Sequence, residues 1–231
     1  MKNETEMDLK DLNHKLFTEK MSATKYRLFI GEFNSLDHEL DEIIHKLWQA
    51  QPHDELEINI ASPGGYTHDL MKMENIFKTK FYGRVTTILN PYGYSCGALV
   101  FLAGDERIIY ENSELMFHNV ALGSYGKLSD VETEFKHNKK YFENYIKSAI
   151  KPYFTKAELD ELLKGKEFWM DTLEICERRI ATKVFVFGSY MDAETYVRYR
   201  TDKKFKKELF EELNKIEGLA KKDKDLIKGK K

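Results

Sequence analysis

The sequence predicts an α/β fold built around a parallel β-sheet. Three features of residues 25–89 indicate this fold: short apolar runs typical of buried strands, segments with apolar residues at helical spacing, and a glycine turn where a strand passes into a helix. Strands that alternate with helices favour a parallel sheet with right-handed crossovers. With 231 residues, 42% of them hydrophobic, the chain can bury a substantial core, and we expect one domain with extensions.

The first half of the chain divides into strands and helices by its apolar pattern. Residues 1–24 are polar with a weak apolar periodicity, and we expect a frayed terminal segment there. Strands are predicted at 25–31, 56–60 and 85–89, because each contains a short apolar run. Helices are predicted between them from two sets of apolar residues: Leu36, Leu40, Ile43, Ile44, Leu47 and Trp48, and then Leu70, Met71, Met73, Ile76 and Phe77.

The stretch of residues 90–118 carries the strongest signal for chemistry. We expect a turn at Pro91 and Gly93, a buried helix that begins at Ser95 or Cys96, and two short strands, the second ending at His118. A serine in the first turn of a helix lies beside unpaired N–H groups, where an oxyanion can be held. Serine is also a common helix N-cap, so Ser95 alone does not decide between these roles. A second glycine turn, S-P-G-G at 62–65, follows an earlier strand, and such loops gather at one edge of a parallel sheet.

The second half of the chain is predicted to hold a long helix, a closing strand and a charged tail. Ser129 and Glu132 form a capping-box pattern that opens a helix to about Ile150. Residues 182–188 are predicted to form a strand. The apolar stripe of the long helix consists of Val131, Phe135, Phe142, Tyr145, Ile146 and Ala149. In residues 203–231, 11 lysines and six acids surround an amphipathic pattern that predicts a surface helix, formed by Phe205, Leu209, Leu213 and Ile216.

Composition and charge argue against several classes of function. A formal net charge of −2 gives no electrostatic reason to expect nucleic acid as the main partner. No span is long and apolar enough to cross a membrane, and the first ten residues are too acidic and polar for a signal peptide, so we expect a cytoplasmic protein. The two cysteines and seven histidines show no metal-ligand spacing, and we predict no metal and no cofactor.

Three blocks of the sequence, in this order and spacing, resemble the Clp protease proteolytic subunit (ClpP). They are I-N-I-A-S-P-G-G at 58–65, S-C-G-A-L-V-F-L-A-G at 95–104 and N-S-E-L-M-F-H at 112–118. The similarity covers about residues 25–185. It implies the ClpP/crotonase fold, in which β-β-α units repeat and a strand-helix handle, here at about 121–152, protrudes from the body.

The resemblance also implies the mechanism of a serine endopeptidase. Ser95 would be the nucleophile, His118 the general base, and the backbone N–H groups of Gly65 and Cys96 the oxyanion donors. A bound peptide would lie between two stretches of main chain, formed by Gly65, Tyr66 and Thr67 on one side and by Ala121, Leu122 and Gly123 on the other.

The third member of the predicted triad is where the sequence departs from the family pattern. The family carries an acid, usually aspartate, two residues before an aromatic residue. Matching Trp169 to that aromatic residue places Glu167 at the acid position, with Asp171 as the fallback. A glutamate can orient the histidine if the backbone retreats by about one methylene group, so reduced activity is an open alternative. A thiol nucleophile at Cys96 is less favoured, because nothing cationic adjoins it in the sequence.

Two other enzyme classes share parts of these motifs. Residues 93–97, G-Y-S-C-G, fit the nucleophile elbow of α/β-hydrolases, but the histidines at 118 and 137 come too soon after the serine for that fold. An acyl-CoA enzyme of the crotonase branch would not need a serine and a histidine in this register. We therefore favour the peptidase.

The resemblance further implies an assembly and a division of the chain. Subunits would form homo-oligomeric rings, two seven-membered rings stacked around the sites, and an ATP-driven unfoldase or other ClpP-like subunits would deliver unfolded protein or peptide substrates. Nothing in the chain resembles a P-loop, so any ATPase would be a separate protein. We expect a segment at 1–24 near the axial entrance of the ring, a peptidase domain at 25–190 and a charged extension at 191–231. The rival hypothesis is a weakly active or inactive subunit that scaffolds or modulates a Clp complex.

Overall fold

The computed structural model describes residues 22–33 and 39–212 and confirms the α/β fold. In chain order its elements are β1 (Lys25–Ile30), α1 (Glu39–Leu47), β2 (Glu55–Ser62), α2 (Thr67–Lys80), β3 (Val85–Tyr94), α3 (Cys96–Leu102), β4 (Glu106–Tyr110), β5 (Glu114–Phe117), α4 (Leu128–Ile150), α5 (Lys156–Leu163), β6 (Phe168–Met170), α6 (Thr172–Glu177), β7 (Lys183–Val186), β8 (Ser189–Asp192) and α7 (Ala193–Thr201). A further helix, α8, occupies residues 203–212.

The sheet is mostly parallel, as the alternating pattern predicts. Strands β1, β2, β3, β4 and β7 lie side by side in one direction, and β8 pairs antiparallel with β7. Strand β5 pairs parallel with the end of β3, and β6 pairs antiparallel with β5. Leu56, Ile58 and Ile60 alternate along β2 and are buried in one core with residues of α2 and α3. The predicted strands in the first half of the chain are confirmed.

Strand β3 is longer than predicted, and the turn expected at Pro91 and Gly93 is wrong. Residues 86–89 pair with β4, whereas residues 92–94 pair with β5. Pro91 lies between the two pairings, where its missing N–H removes no hydrogen bond from either ladder. The proline therefore marks the point at which β3 changes its partner, and the strand continues to the start of α3.

The long helix α4 ends at Ile150 as predicted, but the capping box expected at its start is wrong. Lys127 is the N-cap and makes no side-chain capping bond. Ser129 lies inside the first turn, and its hydroxyl donates to Asp130 Oδ1 at 3.1 Å instead. Within the predicted apolar stripe, Phe142 and Ile146 in the second half of the helix are buried, whereas Phe135 in the first half is 47% exposed. The first half of α4 thus presents apolar side chains to solvent.

The chain after β7 remains part of the same core. The boundary expected at residue 190 falls inside β8, which pairs with β7. Helix α7, which the sequence pattern did not reveal, buries Tyr196 completely. Phe205 and Leu209 on α8 pack against this core. Leu36, Leu213 and Ile216, and the segments 1–21 and 213–231 as a whole, lie outside the described residues.

Two features of the described residues concern membrane insertion and metal binding. No helix there combines the length and the apolar character that a membrane crossing requires. Within the same ranges, no three histidine, cysteine or acidic side chains come together in a group that could hold a metal ion.

Candidate active site

Ser95 lies in a sharp turn between β3 and α3. Its φ of 55° and ψ of −120° are rare for a residue with a side chain, and such backbone strain is typical of functional sites. The Ser95 N–H donates to the Met116 carbonyl at 2.9 Å, which ties the turn to β5. The Ser95 hydroxyl makes no capping hydrogen bond to α3. The ordinary N-cap role is therefore not the one that this serine has.

The glycine turn after β2 packs directly against Ser95. Gly64 and Gly65 have φ angles of 104° and 134°, which favour glycine. A Cβ on Gly64 would lie 2.7 Å from the Ser95 Cβ, closer than such atoms can approach. Backbone hydrogen bonds in both directions between Phe33 and the turn, at 2.7 and 2.9 Å, fix its other side. The main chain can approach the serine only because no side chain intervenes.

Two backbone N–H groups beside Ser95 have no backbone acceptor in the described part of the chain. They belong to Gly65 and Cys96, the two residues predicted as oxyanion donors. Cys96 is the first residue of α3, where an N–H has no intrahelical acceptor. The Cys96 thiol donates to the Gly65 carbonyl at 3.2 Å, so the two peptide units are held together. This arrangement can bind a negative charge that develops on a substrate oxygen.

The Cys96 thiol has the environment of a structural cysteine. It is 2% exposed, and burial raises its pKa above the ordinary value, so it stays protonated at neutral pH. A protonated thiol is a poor nucleophile. The thiol alternative for the nucleophile therefore has no support from its surroundings.

His118 follows β5 directly, and β5 lies beside the end of β3 that leads to Ser95. Ser95 and His118 line one cleft of 440 Å³, so they open on the same side of the sheet. The same cleft is lined by all the predicted substrate-binding residues: Gly65, Tyr66, Thr67, Ala121, Leu122 and Gly123.

The main chain along one wall of this cleft is open to pairing. Residues 118–127 belong to no helix or strand. Among the described residues, the N–H and C=O groups of residues 121–123 make no backbone hydrogen bond. An extended peptide placed in the cleft could therefore add to this edge as a strand.

The cleft contains further side chains that sequence reasoning missed. They are Glu32, Phe33, His68, Val120, Glu134, Asn138 and Phe142. The signal available for Phe33 was its place after the first strand, on the edge where the glycine turns gather. For Glu134 and Asn138 the signal was their spacing of four residues on one face of α4, which the mistaken capping box obscured.

Glu167, the predicted orienting acid, precedes β6 and lies next in register to His118. Phe117 pairs with Phe168 at the end of the β5–β6 ladder. His118 and Glu167 are the next pair of positions beyond that end. Glu167 is exposed and accepts a hydrogen bond from the Trp169 indole at 3.1 Å. It does not line the 440 Å³ cleft.

Asp171, the fallback acid, has a different role. Its carboxylate accepts a hydrogen bond from the Glu174 N–H at 2.9 Å and thereby caps α6. It lines a separate groove that also contains Arg178 and lacks both Ser95 and His118. The structure thus places Asp171 away from the cleft.

The side chains of the predicted triad are not joined by hydrogen bonds. Among the bonds made by the described residues, none links His118 to Ser95 or to Glu167. Catalytic hydrogen bonds are often long or poorly aligned before a substrate binds. Nucleophilic attack by Ser95 would require side-chain movements that bring His118 into line with its hydroxyl.

Comparison with known proteins identifies a family for most of the chain. A family model described as Clp protease matches residues 17–186, which is well over half of the chain and contains every residue of the candidate site. A comparison with curated proteins found no match.

Proposed function

The chain belongs to the Clp protease family, and from this premise we propose that it is a serine endopeptidase subunit acting on unfolded proteins or peptides. One observation carries the proposal: Ser95 sits on a strained turn with an uncapped hydroxyl, in one cleft with His118 and the Gly65 backbone. A helix-capping serine would need neither the strain nor the histidine.

In the proposed mechanism the Ser95 oxygen attacks the carbonyl carbon of the peptide. His118 takes the hydroxyl proton as the new C–O bond forms, and the carbonyl electrons move onto its oxygen. The N–H groups of Gly65 and Cys96 bind that oxyanion. His118 then gives the proton to the leaving amine, and a water molecule releases the acyl group by the same steps in reverse order.

The substrate would bind as an extended strand between two stretches of main chain, residues 65–67 and 121–123. Both stretches line the cleft, and within the described residues the second has backbone groups that make no backbone hydrogen bond. Main-chain pairing of this kind gives affinity without demanding a particular sequence. This suits an enzyme that degrades many unfolded chains.

Glu167 is proposed as the acid that orients His118, because the β5–β6 ladder aligns the two positions. A carboxylate beside the imidazole would hold its tautomer and stabilise the imidazolium that forms during attack. Asp171 is not proposed for this role, since its carboxylate caps α6 in another groove.

We also propose that the subunits assemble into stacked rings in the cytoplasm, served by an ATP-driven unfoldase or by other ClpP-like subunits. Exposed apolar side chains along α4 support an interface on that helix. Leu128, Phe135 and Tyr141 are 76%, 47% and 48% exposed, and apolar surface of this extent is typical of binding sites. The mechanism needs no metal or cofactor.

A fluorophosphonate probe, which labels activated serines, tests the function. We expect the assembled protein to be labelled and to hydrolyse an unstructured peptide. Both signals should disappear in Ser95→Ala and His118→Ala. Ser129→Ala, an exposed serine on α4, should retain both.

The second candidate function is a ring subunit that scaffolds or modulates a Clp complex, and the unjoined triad favours it. An assembled ring of the expected mass that shows neither labelling nor turnover would establish that role and overturn the peptidase.

A further inference from the structure

Trp169 is the hydrogen-bond partner of Glu167 in the described structure. The indole Nε1 donates to the Glu167 Oε2 at 3.1 Å, and no other hydrogen bond to this carboxylate occurs among the described residues. Within the same residues, the second oxygen, Oε1, has no hydrogen-bond partner. A long exposed side chain samples several rotamers, and holding it in one of them costs entropy. The hydrogen bond from Trp169 offsets that cost and thereby restricts the position of the Glu167 carboxylate.

The indole is itself held by the strand that carries the nucleophile. Tyr94 pairs with Met116 across β3 and β5, and Met116 pairs with Trp169 across β5 and β6, so the three form one row across the sheet. The Tyr94 and Trp169 rings meet edge to face at 5.0 Å. Tyr94 directly precedes Ser95.

The tyrosine that supports the indole is fixed at its far end. Its hydroxyl donates to Glu114 Oε2 at 2.9 Å, and its ring packs against Tyr92 at 4.9 Å. A continuous series of side-chain contacts therefore connects Glu114 to Glu167 through Tyr94 and Trp169. The position of the carboxylate is set relative to the serine strand and not only by the short edge strand β6.

We propose that Trp169 is a positioning residue, which holds one oxygen of Glu167 and leaves the other to accept from His118. The inference rests on the proposed function and deepens it. A glutamate has one more rotatable bond than an aspartate, so it needs an additional contact to present its carboxylate in one place. The indole N–H supplies that contact.

Kinetics of the full-length assembled protein on an unstructured fluorogenic peptide test the role. Trp169→Phe keeps an aromatic ring against Tyr94 and removes the N–H. We expect kcat to fall by roughly tenfold, the loss of one hydrogen bond to a charged group, with KM changed less than about twofold. Trp48→Phe is the matched control, since Trp48 has similar exposure and lies outside the cleft. It should leave both constants unchanged.

A double-mutant cycle separates positioning from general support of the fold. In a Glu167→Gln background, Trp169→Phe should cause no further loss, because the bond it removes then has no catalytic carboxylate to position. An equal tenfold loss in both backgrounds would overturn the proposal. So would a rise in kcat in Trp169→Phe, which would mean that the indole withholds Glu167 from His118.

The hydrogen bond itself can be detected without turnover. The chain has two tryptophans, so in the Trp48→Phe protein all tryptophan fluorescence comes from Trp169. Its emission should shift when Glu167 is replaced by alanine, and an unchanged spectrum would refute the bond. A wild-type ring with no turnover and no probe labelling would instead refute the proposed function, and the positioning role with it.

Discussion

The serine side and the acid side of the cleft are held by different means. On the serine side the main chain packs at short range: a Cβ on Gly64 would meet the Tyr94 carbonyl oxygen at 2.9 Å and the Ser95 Cβ at 2.7 Å, and one on Gly97 would meet the Ser62 carbonyl oxygen at 2.7 Å. On the acid side β6 has three residues, and Trp169 is 50% exposed. There the contacts are between polar and aromatic side chains.

This difference indicates which part of the site can accept amino-acid substitutions. A backbone-to-backbone contact leaves no room for an added atom, so the glycine turn and the serine elbow allow little change. A side-chain contact can be replaced by another of similar strength. Glu167 and its hydrogen-bond partner Trp169 lie on the acid side, where we expect a substitution to lower activity less than on the serine side.

The largest effect is expected from Gly64→Ala on the serine side. The added Cβ would overlap Ser95, and the φ of 104° would be strained for alanine. We expect kcat/KM to fall by at least about 100-fold, since a displacement of about 1 Å at a reacting group has that effect. The measurement is peptidase turnover of the assembled protein, with circular dichroism to verify folding.

Gly31→Ala is the matched control for that substitution. Among residues 22–33 and 39–212, no atom lies within 4 Å of a Cβ at position 31, and the φ of Gly31 is not positive. Turnover of this variant should equal that of the wild type. If Gly64→Ala kept more than a tenth of the activity, the serine side would be more adaptable than its packing indicates.

The next effect concerns the choice between the two acids. Glu167→Gln should lower kcat about 10- to 100-fold, less than for a buried triad acid, because the carboxylate is exposed and screened by water. Asp171→Asn should keep kcat within about twofold, because asparagine caps a helix as well as aspartate does. Steady-state kinetics of both variants side by side decides the matter. Loss of turnover in Asp171→Asn alone would reverse the assignment.

A smaller effect is expected from an ion pair that supports the acid side. Arg178 on the chain after α6 binds Glu158 on α5 at 2.7 Å, and these two helices flank β6. The hydrogen bond from Arg178 lowers the pKa of Glu158 to about 2. Glu158→Gln should therefore reduce the free energy of unfolding by about 1–3 kcal/mol at pH 7, measured by urea denaturation.

The pH dependence of that difference has a definite sign. Because the pKa is lowered on folding, the stabilisation by Glu158 is present above its ordinary value of 4.5 and is lost as the pH falls to about 2. The gap between wild type and Glu158→Gln should close over this range. Glu161 also lies on α5 and forms an exposed pair with Lys166, which follows the helix, so Glu161→Gln should change stability by less than about 1 kcal/mol. A gap that persists at pH 2 would contradict the ion-pair explanation.

The sequence predicted the fold wherever burial alone decides structure. Apolar runs located β1, β2, β3 and β7, because each strand places apolar residues in the core, at alternate positions in β2 and β7. The same reasoning failed at Pro91, since the apolar pattern cannot show that a strand exchanges one neighbour for another. It failed at Ser129 because a capping pattern fits equally well one turn inside a helix.

For the candidate site, the sequence predicted which residues belong to the site but not the contacts that they make. Ser95, His118 and Gly65 were predicted from motifs, and the structure lines one cleft with them, although their catalytic roles stay predictions. The motif match favours Glu167 over Asp171, but it could not show what each carboxylate contacts. The structure places Glu167 beside His118 in the β5–β6 register, which depends on tertiary pairing, and gives Asp171 a local capping bond on α6.

The smallest effect is expected from the side chain of Cys96, which lies on the serine side but contributes through its backbone. Cys96→Ser retains the N–H and a donor toward the Gly65 carbonyl, so kcat should fall by no more than about threefold. Since burial raises the thiol pKa, iodoacetamide should leave the activity of the folded wild-type protein intact. If alkylation abolished turnover and Cys96→Ser were inactive while fully folded, the nucleophile would be the Cys96 thiol. The rigid side of the cleft would then serve to position Cys96 and not Ser95.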